Sequence, residues 1–551
     1  MAALAPRRVA PVLAAAVLAA VALRLAGLSW GLPNTPNADE PHLVNLAVSF
    51  GGGSLRPYAL KYPTLWPYVL FASYGAYFLA WSAFGLRRGL ADFVSLYAWH
   101  PTGFYLIARG LSALLSLLGC GLIWRDERDE GRDWPWGALL LAFSPVLVEL
   151  AHSAKPDCLM FFFICLGWRH ALRVQREGRR ADYLLSGAGF GLAMASQYTA
   201  APACATLVLA HAFCERKERP PLRFLAEGAA AAAAALFCGA PFVVLDHARV
   251  LDGMRDMGAL MALKPYSFPD MLRRVLSNAF GFAGAGSIAG LALLAGLASG
   301  IQGDRRRAAV LAGPVLLYIA VLARYHDGGW TRYLMGCFPG LALLAAEGLE
   351  RARARFGKSW ATAALAVLAL APGLTLSLAQ DARMMLPDTR AQAASWIEAH
   401  VPPGSTILLD LPHASPDLVM AKDEVDELAA RTAAAGSPRA RLYRGMARSH
   451  PGGGYRLLRL RHTARDLSSG PKHVEASQAD NPTADVTGGL APLRALGVGF
   501  VVTSSYGATR ETLPEAARFF DELERQGALL AAFAPQEGVA DGPTLRVFRL
   551  K

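Results

Sequence analysis

Apolar residues run in blocks along this chain, and short basic stretches separate them. The runs Val9 to Leu23, Phe224 to Leu245, Ala308 to Leu322 and Trp360 to Ala379 approach the length that crosses a hydrocarbon core as helix. From residue 104 onward the apolar runs alternate regularly with the basic loops Arg125 to Arg132, Arg173 to Arg180, Glu215 to Arg223, Asp304 to Arg307 and Arg351 to Lys358. Such loops are retained on the cytoplasmic side, which puts the segments between them outside. A first helix that ends outside near Leu32, followed by an inward helix that starts near Phe104, requires an even number of crossings between them. Thr64 to Gly85 is therefore read as re-entrant or interfacial, and the pattern predicts about eleven spans.

After Gln380 the hydrophobicity falls, and Asp381, Arg383 and Asp388 open an ordinary soluble composition. The pattern there predicts a helix around Ala391 to His400, a turn at Pro402-Pro403-Gly404 and a strand over Thr406 to Asp410. Further on come a strand over Val498 to Thr503, a helix from Pro514 to Gln526 and a strand over Leu545 to Leu550. Strands alternating with helices argue a small α/β domain. The expected organisation is a polytopic α-helical membrane domain over 1–379 and an outer, periplasmic or extracellular α/β domain over 380–551.

Composition agrees with a bilayer. The chain has 551 residues, 54% hydrophobic and only 18% charged, with a mean hydropathy of +0.29, outside the usual soluble range. Arg7 and Arg8 ahead of an alanine-rich run resemble a signal peptide, but the run continues past Arg24 without a convincing cleavage site, so a retained first helix is expected, with Arg24 snorkelling near its outer end. The net charge of +12 sits in the loops and forms no aromatic-rich basic module, which argues topology and no nucleic-acid partner. All seven cysteines, Cys120, Cys158, Cys165, Cys204, Cys214, Cys238 and Cys337, precede residue 379. They show no CxxC pair and no Cys/His zinc pattern, and read as small apolar packing residues.

Candidate chemistry gathers on the segments assigned outside. The first outer loop carries Asp39, Glu40, Pro41 and His42 just past a helix end, a depth at which acids need a reason. Capping is the structural alternative, with Asp39 as N-cap and Glu40 and Pro41 in the first turn of a helix running to Phe50. Lys61-Tyr62-Pro63 follows, then Glu149, His152 and Lys155-Pro156-Asp157, then Arg324-Tyr325-His326 and Arg332-Tyr333. Each also reads as a headgroup anchor, but together they put acids and cations where they can surround one lipid phosphate. Tyr266 and Trp330 are aromatics that could stack on a sugar or belong to the interfacial belt. The glycines between Gly281 and Gly300 suit close helix packing.

On these residues the chain resembles the GT-C class of polytopic membrane glycosyltransferases, family 39, the group of protein O-mannosyltransferases and lipid A aminoarabinose transferases. The resemblance rests on Asp39-Glu40, Lys61-Tyr62-Pro63-Thr64, Arg109 to Leu114, Ala151 to Asp157, Gly191-Leu192-Ala193 before Tyr198-Thr199, and Arg332-Tyr333-Leu334. It implies Asp39 as catalytic base, with Glu40 and Asp157 as acids of the same cavity. It implies that Lys61, Tyr62, His152, Lys155, Tyr198, Arg332 and Tyr333 hold the lipid phosphate or substrate, with Arg109 a further cation. Relatives commonly read Lys-Tyr-Thr where this chain has Gln197-Tyr198-Thr199, so the phosphate contact there is lost or supplied by Lys155.

The activity so implied is transfer of a hexosyl or pentosyl group from a polyprenyl-phosphate donor to a lipid, glycan or protein hydroxyl, with inversion, on the outer face of the cytoplasmic membrane. The resemblance implies no certain cofactor, and a divalent metal at the acids Glu40 and Asp157 stays open. The rival reading is a lipid-linked-glycan transporter or flippase, whose acids would couple protons; a transporter should show related halves, and none is visible.

Overall fold

The computed structural model describes residues 6–37, 39–85, 89–216, 218–262, 267–324, 331–437, 439–461 and 482–550. The chain divides into two compact units. The first holds Met1–Leu28, Ala59–Val69 and Ala108–Asp381; the second holds Ser29–Tyr58, Leu70–Ile107 and Ala382–Lys551. Tyr266, Tyr325, His326 and Trp330 lie outside the described residues.

Up to residue 384 the chain is helical. It begins with α1 (Pro6–Leu25), α2 (Asp39–Ser49), α3 (Leu65–Phe84), α4 (Leu90–Trp99) and α5 (Thr102–Asp129). Then come α6 (Trp136–Ala142), α7 (Pro145–Ala151), α8 (Asp157–Glu177), α9 (Arg180–Ser196), α10 (Ala205–Ala212), α11 (Leu222–Gly239) and α12 (Pro241–Leu245). They are followed by α13 (His247–Ala262), α14 (Phe268–Phe280), α15 (Ala289–Gln302), α16 (Arg305–Leu322), α17 (Phe338–Phe356) and α18 (Ser359–Met384). Among the described residues, three of these, α5, α11 and α18, are long and apolar enough to cross a membrane by length and composition; Ala10–Leu25 and Ala289–Gln302 are shorter apolar helices.

Local chemistry sets the breaks. The run Phe224 to Leu245 is two helices, because Pro241 cannot continue the ladder and starts α12 instead. Gly178 and Gly357 take left-handed φ values of 58° and 65° where α8 and α17 stop. The stretch read as re-entrant or interfacial is one uninterrupted helix, α3, of 20 residues. Glycines let the first unit's helices touch backbone to backbone. A Cβ at Gly187 of α9 would lie 1.9 Å from the Gly228 carbonyl of α11, and one at Gly296 of α15 would lie 2.0 Å from the Leu344 carbonyl of α17.

The second unit is built on a sheet of β1 (Thr406–Leu409), β2 (Arg456–Leu460), β3 (Thr483–Ala484), β4 (Val498–Ser504), β5 (Ala528–Phe533) and β6 (Leu545–Arg549). The spatial order is β3-β2-β1-β4-β6-β5; the first four strands run parallel, and β6 and β5 add antiparallel. Alternation sends Leu408, Val501 and Phe548 to one core, with Phe519 and Leu523, and Ile407, Leu409, Val502 and Val547 to the other, with Ala393 and Ile397. The helices of this part are α19 (Thr389–His400), α20 (Lys422–Ala434), α21 (Ala440–Arg448), α22 (Ala491–Ala495) and α23 (Ala517–Gln526).

The same unit takes in α2, α4 and part of the chain around them. Trp99, the last residue of α4, meets His450 edge to face at 5.1 Å. Gly445 of α21 is needed because a Cβ there would come within 2.6 Å of Val94 Cγ1. Tyr77 packs edge to face on Phe93 and Phe104, and those two rings meet tilted, with centroids 5.1–5.5 Å apart.

Candidate functional site

One end of the first unit is an ionic network. Arg169 pairs with Asp126 and, at 2.8 Å, with Asp129; Arg173 reaches Asp129 at 3.3 Å, and Arg176 reaches Glu130 at 3.5 Å. Arg307 bridges Glu130 at 2.7 Å and Glu347 at 2.6 Å. Arg180 pairs with Glu227 at 2.6 Å, the Glu215 amide donates to the Gln175 carbonyl, and Trp136 donates to Glu350. These contacts bring the five basic segments of the sequence to one end, as the alternation of apolar runs and basic loops requires. Buried Glu127 accepts from the amides of Gly137 and Ala138 at 2.8 and 3.0 Å, which satisfies the start of α6.

Helix α8 carries the chain from this network to the opposite end, with Arg176 in its last turn and Asp157 in its first. The other expected groups of the first unit collect around Asp157. Trp66 donates to the Ala154 carbonyl at 3.0 Å, which ties the segment after Lys61-Tyr62 to the turn before Asp157. Tyr198 donates to the Leu60 carbonyl at 3.4 Å, and Thr199 lies 3.6 Å from Met160, one turn into α8. Lys61 stands over the Tyr62 ring at 5.7 Å. Arg332 stands over the Tyr333 ring at 5.1 Å and donates to its hydroxyl at 3.3 Å.

Electrostatics link these groups. Burial works against the charge of Arg332, but Tyr333, Asp157 and Tyr62 outweigh it and raise the guanidinium above its ordinary value. Burial pushes the Tyr198 phenol up to about 12, so it stays a hydrogen-bond donor at neutral pH. Lys155 and Asp157 are both buried. Among the described residues, Asp157 Oδ1, Ser153 Oγ and Gln197 Oε1 are buried without a hydrogen-bond partner. Buried polar atoms are nearly always paired in a folded protein, and unpaired ones mark a place where something else binds or reacts. Two of the three are pure acceptors, which suit the hydroxyls of a sugar.

Three residues behave otherwise than the sequence suggests. His152 is expected to hold the lipid phosphate or substrate, but its ring nitrogens face backbone carbonyls, Nδ1 at 2.8 Å from that of Val148 and Nε2 at 2.7 Å from that of Ala26. The neutral ring donates to one of the two and braces the turn. Arg24 does not snorkel. It is fully buried and donates to Ser116 Oγ at 2.9 Å and to the carbonyls of Ala20 and Ala142 at 3.0 and 2.9 Å. Asp381, read only as the start of a soluble composition, is buried and stands 3.9 Å from His152 Nε2. Sequence reasoning passed over both because an isolated charge near a helix end looks the same whether it faces water or core. Arg109, fully buried, donates to the Leu28 carbonyl at 2.9 Å.

Asp39 and Glu40 belong to the second unit. Asp39 is the first residue of α2 rather than its cap; the Asp39 amide donates to the Asn37 side chain at 3.0 Å, so Asn37 does the work assigned to an N-cap. Two acids in the first turn still favour the helix dipole. Glu40 is buried, at 1% exposure. Tyr58 donates to the His42 carbonyl at 3.4 Å, and Tyr97 donates to Asn45 at 2.5 Å. Among the described residues, no three His, Cys, Asp or Glu side chains group as metal ligands would.

A family model described as dolichyl-phosphate-mannose-protein mannosyltransferase matches residues 105–244. No curated protein matches. Among solved structures, the chain is similar to ArnT from Cupriavidus metallidurans bound to undecaprenyl phosphate, at 14% identity and a TM-score of 0.54, over 98% of this chain and 98% of that one. The apo form of the same ArnT gives 14% identity and a TM-score of 0.52, over 96% and 97%. The fold is that of the GT-C membrane glycosyltransferases, with a C-terminal sheet domain.

Proposed function

We propose that the protein is a glycosyltransferase that moves a sugar from a polyprenyl-phosphate donor to an acceptor hydroxyl. The observation that supports this most is the gathering of Lys61, Tyr62, Asp157, Tyr198, Arg332 and Tyr333 at the end of the first unit opposite the five basic segments. The ArnT structure, whose fold this chain shares, carries undecaprenyl phosphate. In this reading the basic segments face the cytoplasm by the usual bias of arginine and lysine. The donor then binds on the outer face of the cytoplasmic membrane, where the C-terminal domain also lies.

The chemistry follows from the groups present. The acceptor oxygen attacks the anomeric carbon on the face opposite the phosphate, the carbon–phosphate oxygen bond breaks, and configuration inverts. The sugar carbon gains oxocarbenium character in between. Asp39 accepts the proton of the acceptor hydroxyl as general base. The electron pair leaves on the phosphate, a weak base that needs positive charge more than a proton, and Lys61 and Arg332 supply it. Asp157 and Gln197 accept hydrogen bonds from the sugar. His152 is left out of this set and serves as a brace.

The reading is tested by supplying purified protein in a bilayer with a radiolabelled polyprenyl-phosphate sugar and candidate acceptors. Release of free polyprenyl phosphate in step with labelled acceptor supports transfer. Movement of intact donor between leaflets without consumption would establish the flippase instead.

A further inference from the structure

Helix α21 carries an unusual excess of charge for its place in the fold. Arg441, Arg444 and Arg448 fall at i, i+3 and i+7, so they share one helical face, and all three are exposed. The acids nearest in the chain, on α20, are engaged elsewhere. Asp423 pairs with Arg456 at 2.6 Å, Asp426 with Lys422 at 2.8 Å and Glu427 with Arg431 at 3.6 Å, while Glu424 accepts the Leu457 amide at 3.0 Å. Among the described residues none of the three arginines has a carboxylate partner; Arg444 makes only an intrahelical bond to the Ala440 carbonyl. A plain solvated face would ordinarily intersperse both signs.

The flank of α21 beside this stripe shows where it sits. Gly445, four residues after Arg441 and three before Arg448, packs on Val94 of α4, next to the Trp99–His450 contact, while Tyr443 and Met446 on the far side pack with Leu428 and Ala429 of α20. In the same unit, the end of α3 and the start of α4 expose Leu79 at 68%, Phe84 at 90% and Leu90 at 59%. Large apolar side chains so exposed in a membrane protein face hydrocarbon. A basic stripe on a helix laid against such an anchor lies at headgroup depth.

We infer that α21 docks on the phosphate headgroups of anionic phospholipids in the leaflet it faces, and so fixes the C-terminal domain against the bilayer. Charge complementarity selects this occupant, because an arginine near an anionic surface changes its occupancy about fivefold. The inference needs only the membrane fold and no particular reaction.

The test is amide hydrogen exchange over residues 440–448 of the full chain in lipid nanodiscs. Exchange is expected to be about tenfold slower or more in discs containing phosphatidylglycerol than in pure phosphatidylcholine discs. The difference should vanish at high salt and in the Arg441→Gln/Arg444→Gln/Arg448→Gln variant, while β1 exchanges alike throughout and reports an intact sheet. Inorganic phosphate at matched concentration should change nothing. Equal exchange in both discs would overturn the inference, as would protection produced equally by free phosphate or only by a soluble acidic glycan.

Discussion

His152 and Asp381 face each other across 3.9 Å, and the two ring nitrogens of the histidine lie against the carbonyls of Ala26, just after α1, and Val148, in α7. The pair joins the ends of α1, α7 and α18 just before the turn that bears Lys155 and Asp157. His152→Ala should therefore lower stability by about 1–3 kcal/mol per stranded buried group. Thermal unfolding in detergent would show the loss, while the donor KM of the folded fraction stays near wild type. An unchanged unfolding temperature with a raised donor KM would return His152 to the donor site.

Arg332 is expected to act on the donor rather than on the fold. Arg332→Ala removes a charge from a half-buried anion site, and the donor KM should rise by the equivalent of roughly 1.5–3 kcal/mol. Arg332→Lys should recover only part, since a lysine keeps the charge but loses the planar stacking on Tyr333. Equal donor kinetics in all three proteins would reduce the residue to an interfacial anchor.

Two arginines of the ionic end should differ sharply in weight. Arg307 is mostly buried between Glu130 and Glu347, and Arg307→Ala removes the nearest cation from each, leaving Glu130 with Arg132 and Arg176 and Glu347 with Arg132, at a cost of about 1.5–3 kcal/mol. Arg180 meets Glu227 with 62% of its side chain exposed, and Arg180→Ala should leave stability nearly unchanged. Comparative unfolding of the two variants checks the order; a reversal would mean that the network does not hold the helix ends.

Much of this architecture was legible in the apolar pattern. Trp360 to Ala379 lies within α18, the helix expected to start near Phe104 is α5, and Thr406 to Asp410 gives β1, because long runs and clean alternation leave few alternatives. Strand β5 was not legible: Ala528 to Phe533 is alanine and leucine, a helical preference overridden by pairing with β6. Strand β2 was hidden by Arg456 and Arg459, whose spacing suits an exposed helix as well. The candidate site was legible as residue types at the right chain positions, but not as contacts. Nothing in sequence spacing separates His152, which braces a turn, from Tyr198, which keeps its ring near Leu60. Gln197 could be singled out only by its departure from a family pattern, and its stranded acceptor needed coordinates.

In the sheet domain, Asp410 should behave as a clasp. Its carboxylate accepts the Leu411 and Ala508 amides, each at 2.6 Å, and a Cβ on Gly507 would fall 2.0 Å from Oδ2. Gly507→Ala and Asp410→Ala should each destabilise the domain, the second by about 1–3 kcal/mol. The double variant should lose less than the sum, because removing the carboxylate makes room for the new methyl. Strict additivity in a double-mutant cycle would show that the two residues do not meet.

The central claim is that Asp39 is the base of a sugar transfer, and Asp39→Asn tests it most directly. Asn keeps the shape, and Asn37 already serves the start of α2, so the variant should fold, insert and bind donor as wild type does. Single-turnover transfer from a polyprenyl-phosphate sugar should then fall on the order of a hundredfold to ten-thousandfold, the span of a lost general base. Folded Asp39→Asn protein that transfers at a near-normal rate would contradict the claim and leave Asp157 as the acid to examine.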